Sequence, residues 1–212
     1  YLYRSRWNIK EETLHVLPHW NWEGREGEVT PVFVYTSYNS AELFVNGKSM
    51  GIQKKNNSSP TNRYRLMWMD VQYEPGTIKV VAFDDDGKAV AEQERHTAGK
   101  PYKLVLEADR TQLDADGKDL SFVTVSVVDK NGIPCPTATN QLQFNVKGDG
   151  VFRAACNGDA TSLEQFHLPR MKLFSGKLVV LLQSASNAGE IELKVSGKGL
   201  QPAKIKITTK KN

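Results

Sequence analysis

From Val29 onward the chain alternates apolar and polar positions in short runs, separated by breaks of turn-forming residues. A period of two is that of a β-strand with one face buried, and no stretch repeats at the helical period of 3.6. The runs VTPVFVYTS and AELFVNG meet at Tyr38-Asn39-Ser40, and Asn46-Gly47 supplies a favoured hairpin turn before KSMGIQKK. After the polar loop NNSSPTN, the run RYRLMWMDVQY alternates so that Tyr64, Leu66 and Trp68 share one face. Glu74-Pro75-Gly76 turns it into TIKVVAFD, and Asp85-Asp86-Gly87 leads into KAVAEQERHT, which closes a first domain near Thr97.

Beyond a short linker the same grammar resumes. YKLVLEADR is followed by LSFVTVSVVDKNG, where Val123, Val125 and Val127 point one way and Thr124 and Ser126 the other. QLQFNVKGDG, VFRAACNGD, GKLVVLLQSA, GEIELKVSGKG and AKIKITTK complete the series, with Lys147-Gly148-Asp149-Gly150 predicted as a hairpin turn. TSLEQFHLPRMKLF has no clear period and contains Pro169, so a long loop is expected there. Short strands at even spacing without intervening helices imply an all-β protein of two tandem immunoglobulin-like antiparallel β-sandwich domains. The expected boundaries are 20–97 for the first sandwich, 98–100 for the linker and 101–212 for the second, with residues 1–19 outside both because their first eighteen positions show no period.

Composition changes this picture little. The 212 residues carry 28 basic and 24 acidic side chains, a net charge of +4, and the densest basic runs are only Lys54-Lys55 and Lys210-Lys211. That is too dispersed for binding along a phosphate backbone, so no nucleic acid is expected as partner. No apolar run approaches the roughly 20 residues of a membrane-spanning helix, so no membrane span is expected. Cys135 and Cys156 fit no zinc spacing and allow either one disulfide or two partly buried thiols in separate strands, the second being favoured. The chain begins Tyr1-Leu-Tyr-Arg, as expected of a piece of a longer protein, so its start carries no information about secretion.

The densest chemistry lies in His15-Val-Leu-Pro-His-Trp-Asn-Trp22. On a helix His15 and His19 would share a face and could chelate zinc, but Pro18 opposes that helix, and in a strand the pair lies ~13 Å apart. Trp20 and Trp22 fall on one side if the segment alternates. They then form either a packing surface or a platform on which a sugar ring stacks, with His19 and Asn21 adding directional hydrogen bonds. The acidic residues cluster at Glu11-Glu12, Asp84-Asp85-Asp86 and between Asp109 and Asp119, in turns where a solvated carboxylate is the simplest role. The calcium-loop pattern is absent from Asp84–Asp86, no serine sits in a nucleophile elbow, and Lys147–Gly150 lacks the Lys-Ser/Thr of a phosphate cradle. No catalytic residue, metal site or cofactor is expected in this chain.

HVLPHWNWEGREG, VFVYTSYNSAELFVNGKSMG and PGTIKVVAFDDDGK closely resemble the region just behind the catalytic barrel of glycoside hydrolase family 2 enzymes, the β-galactosidase and β-glucuronidase group of Bacteroides-type bacteria. ADGKDLSFVTVSVVDKNGIPCPTATNQLQFNVKGDG, NGDATSLEQF and LFSGKLVVLL resemble that group's C-terminal sandwich. The resemblance implies a retaining glycosidase whose two catalytic glutamates lie on a (β/α)8 barrel upstream, with residues 1–19 as the segment leaving that barrel and neither glutamate motif matched here. It implies that Trp7, His19 and Trp20 lie nearest the barrel, so that Trp7, His19, Trp20, Asn21 and Trp22 are the candidates for a substrate rim or a domain seam. Export of the parent protein to the periplasm or cell surface is a further implication. The partners expected are the upstream barrel, a second copy through subunit contacts, and carbohydrate near the seam. Two rival functions are a carbohydrate-binding module gripping glycan with Trp20 and Trp22, and a structural or adhesive pair of domains from a surface protein.

Overall fold

A computed structural model of the chain describes residues 1–8 and 10–211, which divide into two units, Tyr1–Thr97 and Ala98–Asn212. In the first unit a short helix α1 (Leu2–Trp7) precedes β1 (Leu14–Leu17), β2 (Val32–Thr36), β3 (Ser40–Val45), β4 (Lys48–Lys54), β5 (Leu66–Trp68), β6 (Thr77–Phe83) and β7 (Ala89–His96). The strands form two antiparallel sheets, ordered β1-β2-β5 and β4-β3-β6-β7. Every second residue of β2 and β6 is buried, and Val34, Leu66 and Trp68 of one sheet share a core with Leu43, Ile78 and Val80 of the other. The Val16 amide on β1 donates to the side-chain oxygen of Gln93 on β7 at 2.7 Å, a polar tie between the two sheets.

The Asn46-Gly47 hairpin forms as predicted. Both residues have positive φ, 49° and 81°, which a two-residue turn of this hand requires and which glycine adopts without strain. The Asn46 side chain then accepts from the Thr77 amide at 2.8 Å and donates to the Pro75 carbonyl at 3.2 Å, pinning the hairpin tip to the turn before β6.

Two expectations for this unit need correction. The first sandwich does not begin at residue 20, because β1 pairs with β2 from Leu14↔Thr36 to Leu17↔Phe33. Its short run conceals it: Val16 faces the core while His15, on the opposite face, is covered by Tyr1, so both are buried and no alternation shows. Tyr64 does not extend the face of Leu66 and Trp68 either, since β5 is only three residues long and Tyr64 closes a turn on the Thr61 carbonyl.

The second unit comprises β8 (Lys103–Ala108), β9 (Gln112–Asp114), β10 (Leu120–Val128), β11 (Gln141–Gly148), β12 (Gly150–Cys156), β13 (Arg170–Lys172), β14 (Lys177–Ser184), β15 (Gly189–Gly197) and β16 (Ala203–Lys210). The sheets run β12-β14-β10-β8 and β13-β11-β15-β16-β9, antiparallel except for the parallel pair β16 and β9. Val123, Val125 and Val127 are buried as the alternation predicts, opposite Leu142, Ile191 and Val195. Both units are all-β sandwiches.

Lys147–Gly150 is not a hairpin. β11 pairs with β15 and β12 with β14, so the chain crosses from one sheet to the other with only Asp149 between the two strands. Gly148 has φ 92°, and a Cβ there would lie 1.9 Å from the Glu190 carbonyl oxygen, so this corner passes only glycine. Cys135 is buried and Cys156 exposed, both unbridged, and Cys135 lies in a loop rather than a strand. The Cys135 thiol approaches the Gly99 carbonyl at 3.6 Å, and burial raises its pKa.

Candidate functional site

The segment from His15 to Trp22 leaves β1 through a cis Leu17–Pro18 bond and continues without regular structure. The alternation assumed for Trp20 and Trp22 has no strand to rest on, and the two indoles are buried to different depths against one core. Trp20 is 1% exposed, its ring set edge-on to Tyr73 with centroids 5.1 Å apart. Its Nε1–H donates to the Glu74 carbonyl at 2.8 Å, and its own carbonyl accepts the Thr97 hydroxyl at 2.6 Å. One side chain thus closes the sandwich core, and the same residue fastens the entering chain to the turn before β6 and to the end of β7.

Trp22 is half-buried and packs against the edge of the same core. It stacks on His19 at 4.3 Å between centroids, with the Arg25 guanidinium 5.2 Å from its ring, and its Nε1 has no hydrogen-bond partner among the described residues. The Asn21 amide donates to His19 Nδ1 at 3.3 Å, and burial holds the His19 pKa below its ordinary value. His15 stacks on Tyr1 with centroids 3.5 Å apart, and its pKa falls to about 4 through burial first and the nearby Arg95 charge second. The described residues contain no cluster of three potential metal ligands. Trp7, the remaining candidate, is 73% exposed and stacks on Tyr3 at 4.7 Å. The structure therefore brings His19, Asn21 and Trp22 together, buries Trp20 behind them, and leaves Trp7 on α1.

The acidic clusters are accounted for locally. Asp84 accepts from the Asp86 and Lys88 amides at 3.1 and 2.8 Å, holding its own turn. Asp119 accepts from the Asp114 amide and pairs with Arg110 at 2.9 Å, and backbone amides hold the Asp116 and Asp119 pKa values down. A carboxylate whose charged form is so favoured makes a poor general acid.

One group escapes the sequence pattern. Lys55 turns inward to donate to the Thr36 carbonyl at 2.6 Å, and burial, with the Arg6 charge behind it, lowers its pKa to about 8. It borders a cleft of about 320 Å³ shared with Arg6, Asn8, Glu12, Ser37 and Asn39. The adjacent Lys54 is exposed, and a basic pair in a polar run carries no signal of which member turns in.

Comparison with known proteins connects both units to one family. Residues 104–206 match the model of glycoside hydrolase family 2 C-terminal domain 5, and residues 27–91 match a domain of unknown function, DUF4982. The chain is 42% identical over 208 residues to the β-galactosidase BoGH2A of Bacteroides ovatus, covering 98% of this chain and 24% of that protein. It is 28% identical over 210 residues to a β-glucuronidase of Formosa agariphila, of which it covers 20%. Among solved structures, a β-glycosidase from Bacteroides vulgatus superposes with a TM-score of 0.88 at 34% identity, over 98% of this chain and 26% of that one. A glycosyl hydrolase family 2 member from Bacteroides cellulosilyticus gives 0.91 at 30% identity, over 100% and 30%. The chain thus spans about a quarter of the length of these relatives.

Proposed function

Because this chain belongs to glycoside hydrolase family 2, as non-catalytic β-sandwich domains of its C-terminal region, we propose that it supports the (β/α)8 barrel of a retaining, β-galactosidase-like enzyme. The observation that carries the proposal is Trp20, buried, hydrogen-bonded through its indole, and fastening the segment that follows β1 into the sandwich core. A segment anchored this way provides a fixed base against which a catalytic domain is positioned. Such support acts through geometry, where a displacement of about 1 Å in an active-site wall can cost ~100-fold in rate.

A carbohydrate-binding role through both tryptophans has less support, since a sugar ring needs an open aromatic face and Trp20 has none. Subunit contacts and export to the periplasm or cell surface belong to the same proposal, and sedimentation and cell fractionation of the full-length gene product test them. The deciding experiment sets this chain beside the full-length gene product on chromogenic β-galactosides and β-glucuronides. An inactive chain beside an active parent is the expected result, while turnover by the chain alone would overturn the accessory role.

A further inference from the structure

Helix α1 is six residues long, has no side-chain N-cap bond and buries only Ser5. Isolated helices shorter than ~12–15 residues are marginal in water, so α1 depends on what packs around it. In this chain that is one side only. Tyr3 and Trp7 stack on each other while remaining 67% and 73% exposed.

Arg6 of the same helix meets an arginine-rich stretch, residues 63–65, at the Tyr64 ring. The Arg6 guanidinium sits 6.0 Å and that of Arg63 5.0 Å from the centroid of the Tyr64 ring, and Arg65 lies 5.2 Å from that of Phe33 on β2. Arg4 has a carboxylate partner, Glu11 at 3.0 Å, but among the described residues Arg6, Arg63 and Arg65 have none within ion-pair distance. The Nε atoms of Arg63 and Arg65 are buried without an acceptor. Tyrosine, tryptophan and arginine dominate the energetic centres of protein interfaces, and an unsatisfied buried N–H costs ~1–3 kcal/mol until something accepts from it.

Resting on the proposed function, we infer that this aromatic and arginine surface of the first sandwich, centred on Trp7, Tyr64, Arg63 and Arg65, is where the catalytic barrel of the same polypeptide docks, with acidic side chains of the barrel meeting the arginines. The choice of occupant follows from two facts. The unpaired guanidiniums call for carboxylates, and the relatives that match 98% of this chain carry roughly three quarters of their length outside the matched region, since it makes up only 24% of the β-galactosidase.

Hydroxyl-radical footprinting read by mass spectrometry, on the full-length gene product and on the 212-residue chain at equal radical dose, tests this. Labelling of Tyr3, Trp7 and Tyr64 should fall at least about fivefold in the full-length protein, as expected for rings at a close-packed interface core. Arg63→Glu in the full-length protein should restore most of that labelling, with the melting temperature of the 212-residue chain carrying the same change as the check that the sandwich still folds. Equal labelling in both proteins overturns the inference. So does protection that appears in the 212-residue chain as its concentration rises, which would assign the surface to a second copy. An active full-length enzyme with unprotected rings removes the docking surface and leaves the proposed function standing. Protected rings in an inactive full-length protein would do the reverse.

Discussion

Replacing Trp20 with phenylalanine separates a packing role from a sugar-binding role. The change keeps an aromatic ring against Tyr73 but removes the N–H that donates to the Glu74 carbonyl at 2.8 Å. Glu74 lies in an exposed turn, so water can partly satisfy that carbonyl and the lost bond costs about 1 kcal/mol, the low end of the usual range. The smaller ring leaves a void of roughly 35–40 Å³ in a site that is 1% exposed, and at ~24 cal/mol per Å³ this adds about 1 kcal/mol. A loss of about 2 kcal/mol from a unit of this size lowers its melting temperature by on the order of 8–16 °C. Differential scanning calorimetry is the assay, because each unit has its own core and the second unit's transition serves as internal reference. Trp22→Phe is the comparator: its Nε1 has no partner to lose and its ring is half-buried, so the loss should stay below about 1 kcal/mol. Equal shifts for the two variants, or no shift for Trp20→Phe, would refute the claim that Trp20 is the anchor of the seam.

Three further outcomes are expected. The folded-state pKa of His15, about 4, lies below the ordinary 6.5, so the unfolded chain binds the extra proton first and stability falls as pH drops from 6.5 towards 4. The loss, about 1–3 kcal/mol after allowing for solvent screening of the Arg95 charge, should appear as a lower urea midpoint at pH 5 than at pH 7, and His15→Gln should flatten that difference. At pH 8 Lys55 should be acylated ahead of its exposed neighbour Lys54, because a pKa of about 8 leaves half its amine unprotonated; peptide mapping showing equal modification would count against its burial. Gly148→Ala should lower the melting temperature of the second unit alone, by at least about 2 kcal/mol worth of stability, since its Cβ would meet the Glu190 carbonyl at 1.9 Å at a φ of 92°.

What the sequence revealed depended on whether a residue has one buried face. β10 was legible because Val123 and Val125 are buried between neighbours that are not, giving the alternation of a strand with its back to solvent up to its end at Val127 and Val128, both buried. β1 was not, because Tyr1 covers His15 on the face opposite Val16. Glycines mark a tight backbone without saying what approaches it, and so the corner at Gly148 and Gly150, where the chain changes sheets, carries the same signature as a hairpin. In the candidate site, the density of aromatic residues was visible but their directions were not. Alternation has no force in a segment that belongs to no strand, and there Trp20 is fully buried while Trp22 is only half-buried against the same core. The arginine and aromatic surface was out of reach for a different reason: Arg6, Phe33 and Arg63–Arg65 come from three separate stretches that only the fold assembles.

Two hydrogen bonds tie the chain that follows α1 to β7 and its end. Beyond α1, Val16 on β1 is tied to Gln93 on β7 at 2.7 Å, and four residues later the Trp20 carbonyl holds the Thr97 hydroxyl just past the end of β7 at 2.6 Å. The Thr97 oxygen also accepts from the Gly76 amide at 3.0 Å, so the turn before β6 shares the same knot. A load applied at α1 therefore reaches β7 by two short routes, one through a backbone amide and one through a backbone carbonyl, with Trp20 buried behind the second. Side-chain substitution can remove Gln93 or Thr97 but not the backbone groups they engage, which makes Gln93→Ala and Thr97→Val the sharper probes of support. Gln93→Ala removes one bond, worth about 1 kcal/mol, and Thr97→Val two, worth about 2 kcal/mol together, and being on separate routes the two losses should add in stability. Turnover should behave differently if the barrel is positioned through this seam: either bond alone still fixes the entering chain, and only the double variant of the full-length enzyme should lose kcat/KM by more than the product of the single losses.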